Sequence, residues 1–165
     1  MCIRDSPSSG WKIEKVSDRK VRDEWKPLWG KRAVVEDHFN ELVIDLVNPA
    51  GQPERMQLVV RGYNDGFAFC YKIPDGKGPC VNVQSELTAY NFAGDYTAWF
   101  YNGENHNIGP EKLTETDGTR LPVMTVKAGD KHYMAIHEAC LETGAPLVLQ
   151  SKGGESLFSL SLIHI

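Results

Sequence analysis

Long apolar runs are missing from this sequence: none approaches the ~20 residues that a membrane-spanning helix requires. Cysteine is scarce, with four in 165 residues, and none has the spacing of a zinc or dithiol redox motif. Basic residues are scattered rather than striped, and the formal net charge is −4, so a nucleic-acid backbone has no electrostatic footprint to bind. No long stretch carries a helical period, and there is neither a repeat of fixed length nor a low-complexity tract. These absences exclude helical bundles, propellers, solenoids and nucleic-acid partners.

What is present is ordinary globular material, 41% hydrophobic and 24% charged. The chain is long enough for one domain with a core, but too short for a sandwich plus an eight-stranded α/β barrel, which takes about 250 residues by itself.

The ends look foreign. MCIRDS opens the chain and LSLIHI closes it from Leu160 to Ile165. One DNA element, TGTATAAGAGACAG, read on opposite strands, encodes both peptides and resembles the transposon end used to prepare sequencing libraries. Residues 1–6 and 160–165 are therefore expected to be adaptor-derived and non-native. Cys2 then leaves the native count, and Cys70, Cys80 and Cys140 remain, an odd set expected to pack as small buried hydrophobes.

Between these ends, short alternating runs dominate. The polar stretch from Lys12 to Glu24 reads as irregular structure or an edge strand, and Pro27 between Trp25 and Trp29 forbids a regular interior. That tryptophan pair suits either a lid on the core or a sugar-stacking platform. Phe39 to Val47 alternates Leu42, Ile44 and Leu46, the expected buried face, against Glu41, Val43 and Asp45. Met56, Leu58 and Val60 resume the pattern, Asn64-Asp65-Gly66 supplies a tight turn, and Phe67, Phe69, Tyr71 and Ile73 return antiparallel.

Further strands are expected near Val81–Gln84, Leu87–Phe92 and Thr97–Tyr101, and a surface loop over Asn102–Thr119. Leu121 to Val126 and His132 to Ala139 form a hairpin candidate, with Pro146–Gln150 as one more strand. The fold class that follows is all-β, an antiparallel β-sandwich.

Four stretches, EWKPLWG (24–30), HFNELVIDL (38–46), YNDGFAFCYKIP (63–74) and YMAIHEACL (133–141), together resemble the N-terminal domain of glycoside hydrolase family 97 in order and spacing. The resemblance implies a bacterial α-glucosidase or α-galactosidase with an N-terminal β-super-sandwich, a central (β/α)8 barrel and a C-terminal β domain. Residues 7–159 would be part of that N-terminal domain, incomplete as a sandwich. One departure is Cys70, which stands where the family usually carries arginine and replaces a bidentate charged fork by a small thiol.

By the same resemblance, Glu138 of the His-Glu-Ala motif supplies one carboxylate to a calcium ion completed by barrel residues, since Ca²⁺ takes about 6–8 oxygen ligands. Residue chemistry alone reads Glu138 as a solvated edge-strand carboxylate. His137 reads as a packing residue of the core or hinge, and His132 and His137 are not a metal pair. Glycoside hydrolysis needs two flanking carboxyl groups. Glu36 with Asp37, and Glu104, Glu111 and Glu115, read instead as surface charges, so no catalytic residue is assigned and the isolated chain is expected to be inactive. The implied partners are an oligosaccharide or glycoside in the full-length enzyme and the enzyme's own barrel, in the periplasm or outside the cell. The alternative is a stand-alone carbohydrate-binding module in which Trp25, Trp29, Trp99 and Tyr101 are weak candidates for substrate binding.

Overall fold

A computed structural model describes residues 10–50, 53–73, 88–103, 107–115, 117–139, 146–152 and 156–159. The adaptor-like ends, the strand expected at Val81–Gln84, Glu104, Cys80 and Cys140 lie outside them. The described residues form strands and connections only, in two antiparallel sheets that belong to separate compact units, residues 1–81 and 82–165. The all-β, antiparallel class read from the sequence therefore stands.

The first unit is a meander of β1 (Lys12–Trp25), β2 (Val35–Val47), β3 (Arg55–Gly62) and β4 (Phe67–Lys72), in that spatial order. The charged stretch at Lys12–Glu24 is thus an edge strand. Its polar side chains suit an edge, where unpaired backbone groups would otherwise recruit another chain. β1 ends at Trp25, two residues before Pro27, as a residue without an amide dictates. At the other hairpin the Tyr63 amide donates to the Gly66 carbonyl at 2.8 Å, closing the Asn64-Asp65-Gly66 turn.

The buried face of β2 differs from expectation. Phe39 is 4% and Glu41 6% exposed, whereas Leu42, on the face expected to be covered, is 36% exposed. The cause is a cross-strand clamp. Arg19 of β1 and Arg61 of β3 lie opposite Glu41 in register. Arg19 Nε donates to Glu41 Oε1 at 2.6 Å and Arg61 Nε to Oε2 at 2.8 Å. The Arg61 guanidinium also lies 4.4 Å from the centre of the Phe39 ring. A carboxylate with both oxygens bonded to guanidinium groups tolerates burial that a lone one would not. Those bonds, from Arg19 first and then Arg61, hold the Glu41 carboxyl below the usual glutamate range.

Cys70 is exposed on β4, at the other edge of this sheet, and is not the buried hydrophobe expected. Side chains of a strand project from the faces of its sheet, and the residues of β4 are largely exposed on both.

The second unit is built from β5 (Ala89–Asn91), β6 (Thr97–Tyr101), β7 (Asn107–Lys112), β8 (Asp117–Lys127), β9 (Tyr133–Ile136), β10 (Leu149–Lys152) and β11 (Ser156–Ser159). Its order is β5-β11-β10-β8-β6-β7, with β9 also on β8. The loop expected at Asn102–Thr119 instead contains β7 and the start of β8. Among the described residues β7 pairs with β6 alone, so it is an edge strand, and Pro110 falls where the β6–β7 register shifts, both settings that tolerate proline. Ala98 and Phe100 of β6, Met124 and Val126 of β8, Ile136, Leu147, Leu149 and the connecting Leu113 form its core. Alternation along β6 turns Trp99 and Tyr101 away from that core.

Candidate functional site

The long strand β8 organises the region around Glu138. One edge pairs with β6 from Leu121 to Lys127. Along the other edge β10 pairs at Asp117–Arg120 and β9 at Met124–Lys127. Among the described residues neither partner pairs with Leu121, Pro122 or Val123, and Pro122 has no amide to donate. β9 stops at Ile136, and Glu138 follows two residues later. Its Oε2 accepts the backbone amide of Leu147, just before β10, at 2.9 Å.

Glu138 is therefore a half-buried group beyond the strand's end, bridging two strand termini, not a solvated carboxylate on an edge strand. Leu147 is a buried core residue, and this acceptor satisfies its amide. A carboxylate has about four lone-pair positions. One hydrogen bond at Oε2 leaves the carboxylate with further acceptor capacity. It does not make a site alone: among the described residues no three His, Cys, Asp or Glu side chains converge on a metal position. His137 is exposed, so it is not packed in the core of its own unit, and His132 is exposed as well.

The four aromatic candidates fall in different units. Trp25 and Trp29, 55% and 87% exposed, do not cover a core, which corrects the lid reading. Trp99 and Tyr101 share the outer face of β6 and line a cleft of about 260 Å³ together with Ile108, Val123, Asn107 and Thr125. The Trp99 and Tyr133 rings stand 6.5 Å apart, tilted by 37°.

Of the surface acids, Glu36 and Glu115 are exposed and Asp37 and Glu111 partly so. Glu36 lies 3.8 Å from His38 Nδ1. None is buried in the manner of a carboxyl tuned for acid catalysis.

Sequence reasoning missed Arg120. It is 6% exposed, lies 4.2 Å from the centre of the Phe100 ring, and donates through Nη1 to the Thr119 carbonyl at 2.9 Å. Its Nε is buried without a hydrogen-bond partner. A guanidinium between Thr119 and Leu121 in a β-strand carries no local sign of such burial.

A family model described as "Glycosyl-hydrolase 97 N-terminal" matches residues 3–161. The chain belongs to this family. It is 28% identical over 154 residues to a probable retaining α-galactosidase of Streptomyces bingchenggensis (strain BCW-1), covering 82% of this chain and 24% of that protein. To the retaining α-galactosidase of Bacteroides thetaiotaomicron it is 27% identical over 161 residues, covering 87% and 23%. A glycoside hydrolase family 97 enzyme from Pseudoalteromonas sp. strain K8, solved with acarbose, superposes with a TM-score of 0.82 at 25% identity, over 94% of this chain and 24% of that one. The chain thus spans about a quarter of the length of these family 97 proteins. A β-arabinopyranosidase shares the fold alone, with a TM-score of 0.72 at 15% identity.

Proposed function

We propose that this chain is the non-catalytic N-terminal domain of an exo-acting α-glycosidase, an α-glucosidase or α-galactosidase. It packs on a (β/α)8 barrel and supplies the Glu138 carboxylate to a calcium ion whose remaining ligands come from the barrel. The family match over residues 3–161 carries the reading. The position of Glu138 supports it: the carboxylate is anchored at one oxygen by the Leu147 amide, as suits a metal ligand held in one orientation. The names of two relatives favour α-galactosides as substrates, and family 97 enzymes solved with acarbose and panose support a saccharide ligand. When bound, calcium would supply positive charge beside the sugar. Glu138 does no proton transfer; it holds its carboxylate in one orientation.

Export to the periplasm or cell exterior belongs to the same proposal and rests on family resemblance alone. The test is an assay with nitrophenyl α-glucoside and α-galactoside. The chain by itself should release no nitrophenol, and the enzyme joined to its barrel should do so in a calcium-dependent manner. Turnover by the isolated chain, or a full enzyme indifferent to chelation, would overturn the proposal.

A further inference from the structure

The cleft on the outer face of β6 has a composition that neither the core nor the proposed calcium ligand explains. Its register with β7 shifts between Ala98 and Phe100, and that with β8 between Trp99 and Tyr101. Such irregularities bend a strand and re-aim its side chains, and they recur beside binding sites. Here they coincide with a concavity of about 260 Å³ between β7 and β8. Trp99, Tyr101, Ile108 and Val123 line it with apolar surface, and Asn107 and Thr125 add an amide and a hydroxyl.

Among the described residues no charged side chain lines the cleft. That disfavours phosphates, carboxylates and ammonium groups, which need a counter-charge to leave water. A purely apolar ligand would leave the Asn107 and Thr125 groups without partners on binding. The volume lies below the ~300–1,000 Å³ typical of sites for drug-sized ligands, so it accommodates one small ring. A pyranose combines the required properties: it is neutral, it has an apolar C–H face that packs on an aromatic ring, and its rim of hydroxyls both donates and accepts.

We propose that this cleft binds one pyranose ring of a neutral saccharide, with Trp99 as the stacking surface and Asn107, Thr125 and the Tyr101 hydroxyl as hydrogen-bonding partners. The site goes beyond the proposed role of Glu138 and needs no barrel, so the two stand or fall separately.

The test uses this chain with methyl α-D-glucopyranoside, methyl α-D-galactopyranoside and maltotriose, followed by ligand-observed NMR. Saturable binding of at least one of them is expected, with a Kd on the order of 1 mM, as befits a dozen non-hydrogen atoms on an open surface. Trp99→Ala should weaken it by about tenfold or more, the equivalent of roughly 1.4 kcal/mol, while Trp99→Phe keeps most of it. Because Trp99 is half-buried, thermal melts accompany each variant. Val123→Arg, at a position 38% exposed, serves as a second variant that blocks the cleft from its rim and should abolish binding. Absence of saturable binding to the unaltered chain, or undiminished binding to a folded Trp99→Ala or Val123→Arg variant, would overturn the proposal.

Discussion

The Glu138 carboxylate, two residues past the end of β9, accepts the amide of Leu147, two residues before the start of β10, at 2.9 Å. The bond separates two roles that one residue can hold. Glu138→Gln keeps a carbonyl oxygen for Leu147 and should leave the melting temperature of the chain nearly unchanged. Glu138→Ala leaves a buried amide without an acceptor and should cost about 1–3 kcal/mol in denaturant unfolding. Equal losses in both variants would show that the carboxylate's charge, rather than its acceptor oxygen, holds the junction.

Gly109 tests the edge strand β7. Its φ is +115°, and a Cβ placed there would meet the Ala98 carbonyl oxygen at 2.5 Å and Trp99 Cα at 3.0 Å. Backbone atoms of a paired strand cannot move aside as a side-chain tip can. Gly109→Ala should therefore destabilise by at least about 1–3 kcal/mol, measured by chemical denaturation, and an unchanged midpoint would contradict the close approach of β7 to β6.

Glu41 sets an acid limit. Its folded pKa is depressed by hydrogen bonds from Arg19 and Arg61, so the clamp's contribution is fully present above the unfolded glutamate value of about 4.3. It is lost as pH falls from there through the lower folded value. Glu41→Gln should flatten the acid limb of a plot of melting temperature against pH, and a limb of unaltered slope would assign acid unfolding to other carboxylates.

Arg120 makes the opposite kind of prediction. A buried guanidinium with its Nε unpartnered carries a desolvation cost that its stacking on Phe100 and its bond to Thr119 offset in part. Arg120→Met keeps much of the volume and removes the charge, and should melt at or above the temperature of the parent chain. A large drop would mean that the cation has an anionic partner.

Much of this fold is legible in the residues themselves. Asn64-Asp65-Gly66 marks the β3–β4 turn because tight turns demand left-handed tolerance. Lys127-Ala128-Gly129-Asp130 likewise precedes the pairing of Lys127 with Tyr133. β7 escaped notice because only Ile108 interrupts its polar run, and an edge strand need not bury an alternating face. Glu41 misled for a different reason: the partners that permit its burial lie 22 and 20 residues away in sequence, and only sheet register brings them together. The acceptor role of Glu138 depends in the same way on Leu147, nine residues on, across a junction no local pattern announces.

The central proposal is tested most directly by calorimetric titration of calcium into the barrel-containing enzyme and its Glu138→Gln variant, after both are shown to melt alike. Loss of calcium affinity by about tenfold or more in the variant, with glycosidase activity falling in parallel, is the expected result. Equal calcium affinity and equal turnover in the two proteins would contradict it and leave Glu138 as a structural acceptor for Leu147.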